Sequence, residues 1–235
     1  NKFKNITVIA QNNSGPATAR NAGAKIAKGD ILVFTDSDTV PHNNWLKELT
    51  SPFGNSEIKA STGTYSIANP KSRLAQLIQS EIEFKHSKYG EFVLFGGSYN
   101  LAIRKSLFNE IGGFNEEYKS ASGEDNDICY KILNKGYKIK FVKEAIVGHY
   151  HPENIVKYLK TQMKHGYWRA KLYFDHLNKV SGDDYTGYKE ILESLLAGSL
   201  FLLPIFVLFN FTLNKRLRLA SHYRWIFKKI PLVLV

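Results

Sequence analysis

Residues 31–35 (ILVFT) form a continuous apolar run, and this run restricts the fold more strongly than any other segment. A strand with one solvated face alternates apolar and polar residues, and the first four residues here show no alternation. Helical patterns lie on both sides of the run, at residues 15–27 and after Pro41. A strand buried on both faces between helices is typical of an α/β protein with a parallel sheet.

The other predicted elements repeat this alternation of short apolar runs with stretches of helical period. The predicted strands are residues 6–10, 31–35, 58–65, 139–142 and 145–147. The predicted helices are residues 15–27, 74–84, 127–134 and one that starts at Trp45. The helix at residues 74–84 is amphipathic, and its predicted apolar side consists of Leu74, Leu77, Ile78 and Ile82.

Charge and cysteine content limit the classes of partner and compartment. Lys and Arg number 32 against 21 Asp and Glu, so the formal net charge of the 235-residue chain is +11. Such an excess favours nucleotide phosphates, anionic lipid headgroups or nucleic acid. We expect no nucleic-acid partner, because the sequence has no stripe of aromatic and basic residues and no known reader motif. The single cysteine, Cys129, excludes a disulfide framework and fits a reducing compartment.

The composition changes near residue 190. Residues 194–213 (SLLAGSLFLLPIFVLFNFTL) contain no charged side chain, and about 20 such residues can span a bilayer. The sequence predicts transmembrane or membrane-interfacial helices over residues 194–235, joined to the first domain by a linker at residues 176–193. A buried helix of a soluble protein is the alternative. The basic residues between 215 and 229 suit an anionic membrane surface.

Asp36 and Asp38 directly follow the apolar run, at the strand end where open α/β sheets bind ligands. Neighbouring carboxylates repel each other unless a positive charge lies between them. A divalent metal ion that carries a diphosphate would supply that charge. The alternative is an Asp turn that caps the next helix.

Two glycine-containing segments are further candidates for ligand contact. Residues 15–23 (GPATARNAG) combine small residues with Arg20, whose planar guanidinium suits a phosphate, although a packed helix with a solvated arginine is the alternative. Residues 95–100 (FGGSYN) contain paired glycines that would let the backbone approach a ligand, or would simply form a turn.

The remaining candidates are acidic and histidine residues beside predicted helix and strand ends. Glu124 and Asp125 lie at the start of the predicted helix at residues 127–134, where they would act as helix caps or as a general base toward a hydroxyl. His149 and His151 follow a predicted strand, as structural residues or as metal ligands, and spacing does not favour one over the other.

These motifs together resemble family 2 glycosyltransferases of the GT-A fold. The likeness is carried by GPATARNAGAKIAKGDILVFTDSDTVPHNNWL, FGGSYNLAIRKSLFNEIGGFNEEY and GEDNDICYKILNKGYKI. The resemblance implies a GT-A catalytic domain over residues 1–175, with a Rossmann-like, mostly parallel sheet flanked by helices. It also implies an inverting, hexosyltransferase-type transfer of sugar from a nucleotide-diphospho-sugar to an acceptor hydroxyl.

The resemblance also assigns roles to the candidate residues. Asp125 corresponds to the catalytic base, and Glu124 to a neighbour that positions the acceptor. The implied ligands of Mn²⁺ or Mg²⁺ are Asp36, Asp38 and His149, which matches the family's strand-end histidine better than His151 does. The implied donor-binding residues are Arg20, Asn21, Asp36 and Gly97.

Two departures from the family pattern modify these expectations. The first βα unit of the family has no match, which predicts an N-terminally truncated domain. The Gln-x-x-Arg-Trp motif of processive synthases is absent, because Ser221 stands where Arg224-Trp225 would require the glutamine. We therefore expect a non-processive enzyme at the cytoplasmic face of a membrane, acting on a glycan or a lipid-linked glycan. The alternatives are an inactive GT-A-like scaffold protein and a sugar nucleotidyltransferase.

Overall fold

The computed structural model of the protein describes residues 5–120 and 122–176. These residues form a six-stranded sheet with helices packed against it, which confirms the prediction of an α/β fold. The helices are α1 (Pro16–Ile26), α2 (Trp45–Thr50), α3 (Arg73–His86), α4 (Lys105–Glu110), α5 (Glu124–Asn134) and α6 (Ile155–Asp175), with short 3-10 helices at Ser51–Gly54 and Ser98–Asn100. The strands are β1 (Ile31–Phe34), β2 (Thr39–Pro41), β3 (Ala60–Ile67), β4 (Phe92–Val93), β5 (Leu101–Arg104) and β6 (Ile139–His149).

The sheet is mixed, so the expectation of a mostly parallel sheet is wrong. The strand order is β1-β5-β3-β6-β2, and β4 also pairs with β6. Within the described residues β3 and β6 pair in parallel, and all other pairs are antiparallel. Strands β1, β3 and β6 run in one direction, but β5 lies between β1 and β3 and runs against both. Strand β5 was not predicted, because it follows the glycine loop directly and leads into the basic pair Arg104-Lys105.

The predicted strand at residues 6–10 is also wrong. These residues have no regular secondary structure, and no strand within residues 5–120 or 122–176 pairs with them. Ile6 and Val8 are 52% and 75% exposed. An apolar run is necessary for a buried strand but not sufficient, because a strand also requires a hydrogen-bonding neighbour.

Other boundaries and faces differ more locally. The two predicted strands at residues 139–142 and 145–147 belong to one strand of 11 residues, β6. The predicted apolar side of α3 is wrong at Leu77, which is 68% exposed, and the buried residues of this helix are Ala75 and Gln79. The small Ala75 side chain lets α3 lie close to the sheet, so a polar glutamine one turn later becomes buried.

Both faces of the sheet are covered, as the apolar run of β1 predicts. Leu32 and Phe34 belong to the larger core cluster, whereas Ile31 and Val33 pack against a second cluster around Leu49. This alternation follows from the two-residue period of a strand. The larger cluster includes Leu32, Phe34, Leu101, Ile103, Phe114, Ile128, Ile132 and Ile139.

The C-terminal predictions fall outside the described residues. The linker at residues 176–193 lies there apart from its first residue, and the predicted membrane segment at 194–235 lies there entirely. Among the helices of residues 5–120 and 122–176, none combines the length and apolar character needed to cross a membrane.

Asn100 bridges an irregularity between the two longest strands. The register of β3 and β6 shifts between Thr62 and Thr64, where β6 continues from Phe141 to Ile146. The Asn100 amide nitrogen donates to the carbonyls of Ala145 at 2.7 Å and Thr64 at 3.1 Å. Its oxygen accepts from the indole of Trp45 at 2.7 Å. One buried amide therefore satisfies backbone groups of both strands and joins α2 to them.

Replacing Asn100 with alanine is expected to lower the free energy of unfolding by about 2–4 kcal/mol, because buried carbonyls and the Trp45 indole lose their partner. Urea denaturation measures the change. Asn109→Ala, at an exposed position of α4, is the matched control and should change stability by less than about 1 kcal/mol. Equal stabilities of the two variants would contradict this account of the strand junction.

Candidate active site

Arg20 connects the elements that carry the acidic motifs. Its guanidinium donates through Nη2 to Asp36 Oδ1 and through Nη1 to Glu124 Oε1, both at 2.9 Å. Asp36 follows β1, Glu124 begins α5, and Arg20 lies one turn into α1. The Arg20 side chain is 14% exposed, so these ion pairs are largely removed from water. Acidic motifs that are far apart in the sequence thus meet at one cation.

Glycines in the left-handed region place α1 and α5 for this contact. Gly15, before α1, has φ of 96°, and a Cβ there would lie 2.8 Å from the carbonyl oxygen of Lys119. Gly123, before α5, has φ of 93°, and a Cβ would lie 2.6 Å from the Tyr118 ring. Only glycine adopts this backbone readily, so both turns depend on it.

Glu124 and Asp125 occupy different environments at the start of α5. The Glu124 side chain is 2% exposed, and its Oε2 accepts from the backbone N–H of Ser122 at 2.7 Å. The Asp125 side chain is 23% exposed. Its Oδ1 is buried without a hydrogen-bond partner among the described residues, and it lies 3.9 Å from Arg20 Nη1. Asp125 therefore reaches solvent, whereas Glu124 is enclosed against Arg20.

Burial raises the pKa of both carboxyl groups. Desolvation, together with repulsion from Asp125, raises the pKa of Glu124 to about 7, although Arg20 opposes the shift. Desolvation also raises the pKa of Asp125, against the attraction of Arg20. A carboxyl group with a raised pKa is a stronger base when it is ionised, which suits a general base near neutral pH.

Asp38 and His149 face each other on the neighbouring part of the sheet edge. Thr39 of β2 pairs with His149 of β6, and the Tyr150 N–H donates to the Asp38 carbonyl at 3.2 Å. This pairing places His149 Nε2 at 3.6 Å from Asp38 Oδ2. Desolvation lowers the pKa of His149, although Asp38 and Asp36 oppose the shift, so the neutral imidazole is favoured. A carboxylate and a neutral imidazole are both metal ligands.

The predicted metal ligands are not gathered into one cluster. Asp36 turns to Arg20, and only Asp38 and His149 face each other. In the part of the chain that the structure describes, no group of three or more His, Cys, Asp or Glu residues could hold a metal ion. The Asp38–His149 pair still fits a divalent ion of the kind that takes few protein ligands and completes its shell with phosphate and water.

The other predicted donor residues, Asn21 and Gly97, contact neighbouring segments of the chain. Asn21 is engaged with a loop: its amide donates to the Phe114 carbonyl and to Glu116 at 2.9 Å, and it accepts from the Phe114 N–H at 3.0 Å. Gly97 lies beneath the ring of Tyr99, where a Cβ would approach to 2.0 Å. The donor-binding roles of both residues stay predictions.

Tyr65 and Gln79, which the sequence did not single out, lie beside His149 and His151. Tyr99 stacks on Tyr65 with ring centroids 3.6 Å apart, and Tyr65 lies 4.8 Å from the His149 ring. The family resemblance favours His149 over His151, yet His151 Nδ1 lies 3.1 Å from His149 Nδ1. The spacing His-x-His at a strand end was the available signal. Gln79, which contacts His151, gave none.

The variant Glu124→Gln tests the buried carboxyl group. The pKa of Glu124 lies at about 7 in the folded protein against an ordinary 4.5, so the folded state binds more protons between these values. The contribution of Glu124 to the unfolding free energy therefore falls as the pH rises through that interval. The stability of Glu124→Gln relative to wild type should rise between about pH 5 and about pH 8 in urea denaturation. Exposed Glu57→Gln is the control, and a pH-independent difference for Glu124→Gln would refute the assignment.

Two known proteins that are similar to this chain are both described as transferases of sugars. A pre-mycofactocin glycosyltransferase of Mycobacterium tuberculosis is 27% identical over 183 residues, which cover 71% of this chain and 37% of that protein. The O-antigen chain rhamnosyltransferase WbaN of Salmonella anatum is 26% identical over 239 residues, which cover 94% of this chain and 73% of that protein. The chain thus spans little more than a third of the first of these relatives.

A solved structure and a family profile also match this chain. The structure of GalNAc-T7 with UDP, GalNAc and Mn²⁺ is 19% identical with a TM-score of 0.45, over 59% of this chain and 31% of that one. So weak a likeness supports no conclusion about this chain. The profile described as "Glycosyltransferase like family 2" matches residues 2–167. Because that match covers well over half of the sequence, the chain belongs to the glycosyltransferase-like family 2.

Proposed function

We propose that the chain carries the catalytic domain of an inverting, metal-dependent and non-processive hexosyltransferase of the GT-A type. The domain moves a sugar from a nucleotide-diphospho-sugar to an acceptor hydroxyl. The observation that carries this proposal is the contact of Arg20 with Asp36 and Glu124 at 2.9 Å, with Asp125 at 3.9 Å. This contact places Arg20, which suits a diphosphate, beside Asp125, which suits the proton of an acceptor hydroxyl.

The donor side of the site consists of Asp36, Asp38, His149 and Arg20. Asp38 and His149 would hold Mn²⁺ or Mg²⁺, which supplies Lewis-acid stabilisation of the departing diphosphate when bound. Arg20 is already fixed by two carboxylates, so it needs no reorganisation to present positive charge as the leaving group becomes more negative. Asp36 holds Arg20 in that position.

The acceptor side consists of Asp125. Direct displacement at the anomeric carbon requires a base that removes the acceptor proton while the diphosphate leaves from the opposite face. The Asp125 side chain is 23% exposed, so in this proposal its carboxylate takes that proton where it reaches solvent. Glu124 is enclosed, so in this proposal it positions the acceptor only indirectly, by fixing Arg20 beside Asp125.

Exposed residues on α6 support a proposal of membrane association. At 100° per residue, the exposed apolar side chains of α6 fall within an arc of about 120° around the helix axis. Three lysines lie next to one edge of this arc. Such a helix suits the interface of an anionic bilayer, here proposed at the cytoplasmic face and near a glycan or lipid-linked acceptor. The apolar residues are Ile155, Val156, Leu159, Met163, Tyr167 and Phe174, and the lysines are Lys157, Lys160 and Lys164.

Release of nucleoside diphosphate by the 235-residue chain in detergent tests the proposed reaction. UDP-, GDP- and dTDP-sugars are each supplied with Mn²⁺, Mg²⁺ or EDTA. Release from one donor should require the metal. It should fall by about 10²–10⁴-fold in Asp125→Asn, because the base is lost, and by at least about 10-fold in Asp38→Ala. Asp30→Asn, at an exposed position outside the site, is the matched control.

The outcomes of this assay distinguish the proposed transferase from an inactive scaffold protein and from a sugar nucleotidyltransferase. Metal-dependent donor binding without turnover would indicate that an acceptor is missing from the assay. Failure to bind any donor would favour an inactive scaffold and would overturn the proposed reaction. Release of pyrophosphate from a nucleoside triphosphate and a sugar phosphate would instead identify a nucleotidyltransferase.

Sedimentation with vesicles tests the membrane surface of α6. Leu159→Glu places a charge in the apolar arc, so the fraction bound to phosphatidylserine-containing vesicles should decrease several-fold. Leu77→Glu is the matched control, because Leu77 is an exposed leucine on a different helix. Equal binding of both variants and the wild type would exclude α6 as the contact surface.

A further inference from the structure

A chain of side-chain hydrogen bonds leads from the buried face of α3 to the proposed metal position. Gln79 Oε1 lies 3.0 Å from His151 Nε2, and His151 Nδ1 lies 3.1 Å from His149 Nδ1. The other nitrogen of His149, Nε2, faces Asp38 Oδ2 at 3.6 Å. Gln79 and His151 are 4% and 5% exposed, so water does not replace these bonds freely.

The orientation of the Gln79 amide is fixed by its other partners. One terminal atom lies 3.3 Å from the carbonyl oxygen of Tyr65 and 2.8 Å from Glu83 Oε1. Both partners are acceptors, so this atom is the NH₂ group. The atom that faces His151 is therefore the amide oxygen, which only accepts.

This orientation determines the proton positions on both neutral imidazoles. His151 Nε2 must carry a proton to donate to the Gln79 oxygen, which leaves a lone pair on His151 Nδ1. That lone pair accepts from His149 Nδ1, so the proton of His149 is on Nδ1. His149 Nε2 then carries a lone pair and points toward the Asp38 carboxylate.

Two acceptors facing each other at 3.6 Å are stabilised by a cation between them. A divalent ion held by Asp38 and His149 would relieve the repulsion between these two acceptors. We propose that Gln79 and His151 are positioning residues that select the His149 tautomer whose Nε2 lone pair binds the divalent metal ion. This inference rests on the proposed function, since it assigns the metal to the Asp38–His149 pair.

The surroundings of His151 hold the chain of hydrogen bonds in place. The Asn69 amide makes two hydrogen bonds to the backbone of His151. Its Oδ1 accepts from the His151 N–H at 3.0 Å, and its Nδ2 donates to the His151 carbonyl at 2.8 Å. The Tyr65 ring lies 6.0 Å from the His151 ring and 4.8 Å from the His149 ring. Asn69, which follows β3, therefore fixes the His151 backbone, and Tyr65 of β3 packs against both imidazole rings.

The proton positions can be read directly from the metal-free protein. In the 235-residue chain labelled with ¹⁵N-histidine, two-bond proton–nitrogen correlation spectra distinguish a protonated ring nitrogen from one with a lone pair. His149→Gln and His151→Gln assign the signals. The expected result is a proton on Nδ1 of His149 and on Nε2 of His151. A proton on Nε2 of metal-free His149 would overturn the proposal, whatever the activity of the protein.

Metal affinity tests whether the tautomer matters. Gln79→Met keeps the length of the side chain but removes the acceptor, so Mn²⁺ affinity measured by paramagnetic resonance of the free ion should fall about 10–100-fold. Gln76→Met, at an exposed position of the same helix, is the control and should bind as the wild type does. The double variant Gln79→Glu with Glu83→Gln restores an acceptor at unchanged net charge and should recover most of the affinity.

The outcomes distinguish this inference from the proposed function. Wild-type affinity in folded Gln79→Met, or failure of the double variant to bind better than Gln79→Met, would overturn the role of the hydrogen-bond chain. Absence of Mn²⁺ and Mg²⁺ binding by the wild type would refute the metal site of the proposed function. In that case the ring spectra still decide which proton positions Gln79 imposes.

Discussion

The ion pairs of Arg20 are the interaction on which both the fold and the candidate site depend. Glu124 is almost fully enclosed, and without a cation its charge would lie beside Asp125 in a poorly solvated place. Removing one partner of a buried pair generally costs about 3–5 kcal/mol, because the remaining charge is uncompensated. The same contact holds α1, the end of β1 and the start of α5 together. The guanidinium of Arg20 is thus held in place by the architecture before any ligand arrives.

The mixed sheet explains how groups from distant segments reach one edge. The ends of β1 and β6 lie on the same side, because both strands run in the direction of β3. The antiparallel β5 brings the glycine loop before it, with Gly97, to that side as well. Within the Asp36-Ser37-Asp38 turn, Asp36 contacts Arg20 and Asp38 faces His149. One short segment therefore supplies a partner to each of these two side chains.

The sequence predicts the local elements around the site better than their assembly. Residues 31–35 and the acidic start of α5 are recognisable because burial and the preference of acidic residues for a helix N-terminus leave strong local patterns. The segment at residues 6–10 has the same apolar pattern but no neighbouring strand, and pairing is not a local property. The hydrogen bonds of Arg20 join residues as much as 104 positions apart, and Gln79 contacts His151 across 72 positions. No pattern of residue types encodes such contacts, so those roles become visible only in three dimensions.

The sulfur of Cys129 bridges the glycine loop and α5. Its Sγ lies 3.3 Å from both the N–H and the carbonyl oxygen of Gly96, at the residue before Gly97. Cys129 is fully buried, and it is the only cysteine of the sequence. A thiol reacts only when it becomes accessible, so the rate at which a reagent labels this chain measures how often the loop separates from the helix that carries Asp125.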